Sequence, residues 1–231
     1  MPFFFDYYYV ILIIPALLIS IWAQTKVNST FNKYSKIFSS RGYTAAQIAR
    51  YILDANGLYN VNVERVNGNL TDHFDPKSNV VRLSDSVHNS TSVAAIGVAA
   101  HEVGHAIQHA VGYGPIKIRA AIIPITQIGS KLSMPLILFG LLFSFQPIIS
   151  LGIIFFATAT IFQLVTLPVE FNASNRALAI LEERDYLYGE ELTGAKKTLS
   201  AAAMTYVAAL IVSAVQLLRL ILLFGNRGRR D

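Results

Sequence analysis

The stretch LSMPLILFGLLFSFQPIISLGIIFFATATIFQLVTLPV, from Leu132 to Val169, decides the fold, because it runs for 38 residues without a charge. In lipid, only a helix or a closed barrel satisfies its own backbone, and a helix needs roughly 17–25 apolar residues to cross a core about 30 Å thick. The run therefore holds two crossings. Ser144, Gln146 and Pro147 lie near its centre. Proline breaks a helix and polar side chains reach the headgroups, so the chain is expected to turn there as a transmembrane hairpin. Two more uncharged runs, 19 residues between Asp6 and Lys26 and 21 between Lys197 and Arg219, bring the expected count to four spans.

Composition agrees with that reading. Hydrophobic residues make up 53% of the 231 and charged residues 14%, where an average soluble domain carries about 25% charged residues. The mean hydropathy is +0.46, which excludes a disordered chain. Cysteine is absent. Disulfides, a thiolate nucleophile and sulfur ligation are thereby ruled out, and any metal site must use imidazole and carboxylate.

Asp6 is the only charge before Lys26, so the first run lacks the basic start of a cleaved signal peptide and reads as a retained anchor. Lys26, Lys33, Lys36 and Arg41 follow closely, which points its downstream end to the cytoplasm. Four spans then place 15 of the 19 Lys and Arg residues on the cytoplasmic side. Arg219 interrupts the last span, and Arg227, Arg229 and Arg230 would fall outside, against the usual bias. The net charge of +5 is explained by basic residues facing anionic lipid. No nucleic-acid partner is expected.

The remaining polar stretch runs from about Lys26 to Lys131. Thr44 and Gln47 stand at capping-box spacing, and Ala45, Ile48, Ala49 and Ile52 share one face, which predicts a helix from Thr44 to Asn56 with Gly57 as its stop. Leu70 to Phe74 and Val80 to Leu83 flank turn residues from Asp75 to Asn79, predicting a short β-hairpin. Beyond Asn89, Ser90 and Thr91 offer N-caps for a helix reaching about Val111.

That helix reads TSVAAIGVAAHEVGHAIQHAV, small and apolar almost all round, so it should be buried on most sides. Set into it are His101, Glu102 and His105. A four-residue step brings the two imidazoles onto one face, able to converge on a single ion with Glu102 beside them. This is the HExxH pattern of zinc hydrolases, which chance would supply here roughly 0.003 times. A carboxylate in an apolar helix is costly unless a cation or hydrogen bonds compensate it.

Four passages, SIWAQTKVNSTFNKYSK, LTDHFDPKSNVVRLSDSVH, the helix above and TLPVEFNASNRAL, resemble the YugP-type membrane zinc metallopeptidases. The resemblance spans most of the chain. It implies an integral membrane peptidase whose HExxH site lies on or near the membrane face, with Zn2+ as cofactor and a peptide or membrane protein as substrate.

A catalytic zinc takes three protein ligands and leaves one position open. A metzincin would need Gly and His where Gln108 and Val111 stand, so that class is excluded. His109 lies one helical step further, where a third imidazole on a straight helix would not enclose an ion, and it reads as packing or as support for the ligands. Glu170 is the better candidate. It stands in EFNAS, which resembles the ExxA[DS] pattern of glutamate-liganded zincins, and two crossings between His105 and Glu170 return the chain to the same side. Ser174 would orient a ligand imidazole. Glu182, Glu183, Glu190 and Glu191 read as a solvated helix face.

These readings assign a mainly α membrane protein with about four transmembrane helices and a small zincin-like α+β cytoplasmic domain. The expected parts are an anchor (1–25), a catalytic region (26–131), a transmembrane hairpin (132–169), a helical segment bearing the third ligand (170–197), and a final membrane helix with a basic tail (198–231). His101, His105 and Glu170 would hold zinc and Glu102 would be the general base. Tyr186, Tyr188, Tyr206, Asn172 and Arg176 are candidate oxyanion donors that spacing does not separate, and Asn172 is also a candidate to support the ligands. His73 reads as a solvated turn residue and His88 as loop. The sequons at Asn28, Asn69 and Asn89 fall on the cytoplasmic side. Hydrolysis of another amide or a lipid, or a catalytically silent membrane scaffold, are the alternative functions.

Overall fold

The computed structural model describes residues 6–225, so Arg227, Arg229 and Arg230 of the expected basic tail lie outside the described residues. In chain order the elements are α1 (Ile14–Tyr34, preceded by a π-helical turn Tyr9–Ile13), α2 (Ala45–Ala55), β1 (Asn62–Val66), β2 (His73–Asp75), β3 (Val80–Ser84), α3 (Val93–Ala110), α4 (Gly114–Leu142), α5 (Gln146–Glu183) and α6 (Gly189–Phe224). They fall into two compact units, the described parts of which are 6–23, 118–167 and 205–225 in one and 24–117 and 168–204 in the other.

Four helices among the described residues are long and apolar enough to cross a membrane: Tyr9–Tyr34, Gly114–Leu142, Gln146–Glu183 and Gly189–Phe224. In the first unit their outer surfaces are apolar, with Leu18, Ile21, Ile128, Phe139, Ile154 and Ile161 exposed. The expected turn between two of these helices is present, with α4 ending at Leu142, Ser144 in a left-handed conformation (φ 52°) and α5 starting at Gln146. Small residues let α4 and α5 approach, as expected where dispersion rather than hydrophobicity drives packing. A Cβ on Gly152 would stand 2.8 Å from the Ser133 carbonyl oxygen.

Arg219 does not break the last helix. It is buried, with Nε donating to Asp6 Oδ2 at 3.0 Å and a second contact from Nη2, and its guanidinium lies 5.4 Å from the Tyr9 ring centroid. Gln146 Nε2 donates to the Phe224 carbonyl at 2.7 Å, so the end of α6 stands level with the α4–α5 turn. An ionisable group among apolar helices is costly alone and tolerable when paired.

The second unit has its own core. Thr44 and Gln47 form the expected capping box, with Gln47 N–H donating to Thr44 Oγ1 at 3.2 Å and Thr44 N–H to Gln47 Oε1 at 2.9 Å. Ala45, Ile48, Ala49, Ile52 and Leu53 of α2 are buried, and Gly57 (φ 73°) follows its end. Strands β2 and β3 pair antiparallel as a hairpin, but β2 starts at His73 because Leu70 is turned into the left-handed region (φ 54°). The hairpin turn is held by Asp75, whose carboxylate accepts from Lys77 N–H at 2.9 Å and Ser78 Oγ at 2.6 Å. Those bonds and Arg82 hold the Asp75 carboxyl well below the usual range. Strand β1, which the sequence reading missed, pairs parallel to β3, giving the order β1-β3-β2 with β2 at an edge. Its alternation is only Val61 and Val63 before charge intervenes, too short a signal to separate from loop. Helix α3 is capped by Ser92 rather than Ser90 or Thr91, with Ala95 N–H donating to Ser92 Oγ at 3.3 Å while Ser90 Oγ supports that cap. Fourteen of its 18 residues are buried, which makes it the centre of this unit.

Removing one partner of a buried pair strands the other charge, whereas removing both does not. Asp6→Ala is therefore expected to melt several degrees below the Asp6→Ala/Arg219→Leu double variant in detergent, as read by circular dichroism; a double variant that melts lower than the single one would contradict this.

Candidate metal centre

His101 and His105 stand one helical turn apart on α3, with ring centroids 4.7 Å apart and planes at 84°. Glu170 reaches them from α5. Its Oε2 lies 3.3 Å from His101 Nε2 and 3.5 Å from His105 Nε2. Among the described residues these three side chains form a group able to hold a metal ion, with ligand atoms all within 4.8 Å of one another.

The crossing that brings Glu170 in depends on Gly104. A Cβ there would stand 2.7 Å from the Ala173 carbonyl oxygen and 3.2 Å from Ala173 Cα, so only glycine lets the α5 backbone lie this close. Gly104 sits between the two histidines in sequence. The same contact that packs the helices thus sets the reach of the carboxylate.

The far side of each imidazole is also engaged. His101 Nδ1 lies 3.0 Å from Ser174 Oγ, and His105 Nδ1 lies 3.0 Å from Gln108 Oε1. With Nδ1 carrying the hydrogen, each Nε2 presents its lone pair to the centre. Burial works against protonation of His105, but the hydrogen bond that its protonated ring donates to Glu170 and the negative charges of Glu102 and Glu170 outweigh it and hold that imidazole above the ordinary histidine pKa. A pocket that favours a proton in this way also favours a cation.

The donor set fits zinc. Two donors held about 2.1 Å from a tetrahedral ion stand about 3.4 Å apart, and the imidazole-to-carboxylate separations are 3.3 and 3.5 Å. Two imidazoles and one carboxylate are one of the usual catalytic sets.

Glu102 is buried beside this group and is not part of it. Its Oε2 accepts from the Phe74 backbone N–H at 3.0 Å, which ties it to edge strand β2. Asp72 anchors the start of that strand, accepting from Ser84 N–H at 2.7 Å and Ser84 Oγ at 2.9 Å. Burial pushes the Asp72 carboxyl up, the Glu102 charge adds to this, and the Ser84 bonds only partly oppose it.

The family described as "Putative neutral zinc metallopeptidase" matches residues 9–225, and the chain belongs to it. It is therefore a member of a zinc peptidase family. The "Putative membrane protease YugP" of Bacillus subtilis (strain 168) is 51% identical over 218 residues, which cover 94% of this chain and 97% of that protein. No solved structure matches the chain.

The other expected residues are placed as follows. His109 is exposed and packs edge-on against Phe74, with centroids 6.0 Å apart. Asn172 Oδ1 accepts from Gln108 Nε2 at 3.0 Å and Arg176 Nε at 2.8 Å. Tyr186 stacks on Tyr51, and Tyr188 shares a 3.0 Å hydrogen bond with Ser40. Glu182, Glu183 and Glu190 are exposed, while Glu191 accepts from Ser40 N–H. His73 is exposed on β2 and His88 is hydrogen-bonded to Asn89. Sequence reasoning missed the contributions of Gly104, Phe74 and Gln108. For Gln108 a signal existed, since a residue three positions after His105 shares its helix face.

Gly104→Ala is expected to push α5 away and lower zinc affinity at least tenfold, measured by competition with a fluorescent chelator; unchanged affinity would show that the crossing tolerates a methyl group.

Proposed function

We propose that this protein is a membrane-embedded endopeptidase that cleaves membrane-associated proteins or peptides with zinc held by His101, His105 and Glu170. The observation that carries the reading is the 3.3 and 3.5 Å convergence of two imidazoles and one carboxylate beside a second, separate carboxylate. When bound, zinc supplies the Lewis acidity that activates water and polarises a carbonyl. Glu102 takes the proton of the attacking water on its carboxylate and passes it to the nitrogen of the leaving amine, so the peptide C–N bond breaks as the new C–O bond forms. Its bond from Phe74 N–H keeps the carboxylate turned towards the β2 edge.

Substrate binding follows from the same edge. Strand β2 is one of the two outer strands of the sheet, and an extended peptide adds to such an edge through main-chain hydrogen bonds that accept many sequences. A peptide seated there would run past Glu102, which is where a general base must stand. The basic residues after the first anchor favour a cytoplasmic location for this unit, and four crossings keep all its segments on one side.

Glu102→Gln keeps an oxygen to accept from Phe74 N–H but cannot take a proton. It is expected to retain stoichiometric zinc and lose roughly 10²–10⁴-fold in hydrolysis of quenched fluorescent peptides. Full activity in this variant would remove Glu102 from the role, and absence of peptide cleavage by the zinc-loaded wild type would favour a non-peptide amide or a lipid as substrate.

A further inference from the structure

Gln108 is fully buried on α3, and both partners of its Nε2 are acceptors. Arg176 begins the series, because a guanidinium can only donate. Its Nε lies 2.8 Å from the Asn172 side chain, so the Asn172 atom there is the oxygen. That oxygen and the Val169 carbonyl, at 3.0 and 2.8 Å, are both acceptors and claim the two hydrogens of Gln108 Nε2. The amide of Gln108 is thereby oriented with Oε1 towards His105 Nδ1, 3.0 Å away. An amide oxygen can only accept. His105 must therefore carry a hydrogen on Nδ1, so its neutral form leaves Nε2 bare on the side of Glu170.

Two of these bonds do something further. Val169 and Asn172 bracket Glu170 on α5, while His105 and Gln108 share α3. One side chain thus joins the helix bearing two ligands to the helix bearing the third, next to that ligand in both cases. We infer that Gln108 is a positioning residue for the metal centre, which fixes the His105 tautomer and ties α3 to α5 beside Glu170. It touches neither the ligand-facing atom of His105 nor substrate, and acts only through its neighbours. The inference rests on the metal-site reading proposed above.

The test uses full-length protein in detergent and measures zinc affinity by chelator competition, together with the thermal midpoint of the metal-free form. Gln108→Met fills the same space without polar atoms and is expected to weaken zinc binding 10–100-fold. Gln108→Glu keeps an oxygen opposite His105 Nδ1 but turns its second oxygen towards the Val169 carbonyl and Asn172 Oδ1, both acceptors, so it is expected to stay at least several-fold weaker than wild type; full wild-type affinity would show that the tie to α5 plays no part. In a His105→Ala background, Gln108→Met should cost clearly less affinity than it does in the wild type, because only its tie to α5 beside Glu170 is left to lose. An equal loss in that background would overturn the inference and assign Gln108 to general packing, as would wild-type affinity in Gln108→Met. His101→Ala is the control for the underlying reading. If it binds zinc as tightly as wild type, the metal site itself is wrong; if it loses zinc while Gln108→Met does not, only the role of Gln108 fails.

Discussion

The approach of α5 to α3 at Gly104 and Ala173 is the contact on which the site depends. A methyl group at Gly104 would meet backbone oxygen and carbon at 2.7–3.2 Å, with no flexible side-chain end to yield. Because the two helices can touch at backbone distance, Glu170 stands within 3.3–3.5 Å of both imidazoles and the Gln108 amide can bridge to Val169 and Asn172. Helices in contact through ordinary side chains lie 8–10 Å apart, a wider gap for such short polar bridges to span.

Charge burial imposes the second constraint. Glu102 and Glu170 are both buried, and α3 is otherwise small and apolar. A buried carboxylate without compensation is expensive, so each must be met by donors or a cation. Glu102 has the Phe74 N–H, and Glu170 has the two imidazoles. The second ring of partners, Ser174 and Gln108, then fixes the opposite edges of those imidazoles. Imidazoles held in this way keep a candidate metal site in one geometry.

The membrane unit solves a similar problem with a different pairing. Asp6 and Arg219 lie more than 200 residues apart in sequence, and each removes the desolvation cost of the other. The bond from Gln146 to the Phe224 carbonyl satisfies a helix-end acceptor that lipid could not. Arg219, which in sequence looks like an interruption, is accommodated by a partner near the opposite end of the chain.

Local periodicity and length carried much of this protein. The uncharged runs are long because a bilayer is thick, the capping box at Thr44 and Gln47 is a contact three residues apart, and His101 and His105 share a face because a helix repeats every 3.6 residues. Each is set within a few residues or by a single helix length, so the sequence alone determined them. The approach of Glu170 to the two imidazoles was expected from its motif and from two crossings between them, whereas β1, the Ser92 cap, the pairing of Asp6 with Arg219 and the bridging amide of Gln108 were not. Those are contacts between distant segments or choices among adjacent serines. Only the tertiary structure decides them, because burial, helix crossing distance and the fixed polarity of hydrogen-bond partners exist only once the chain has packed.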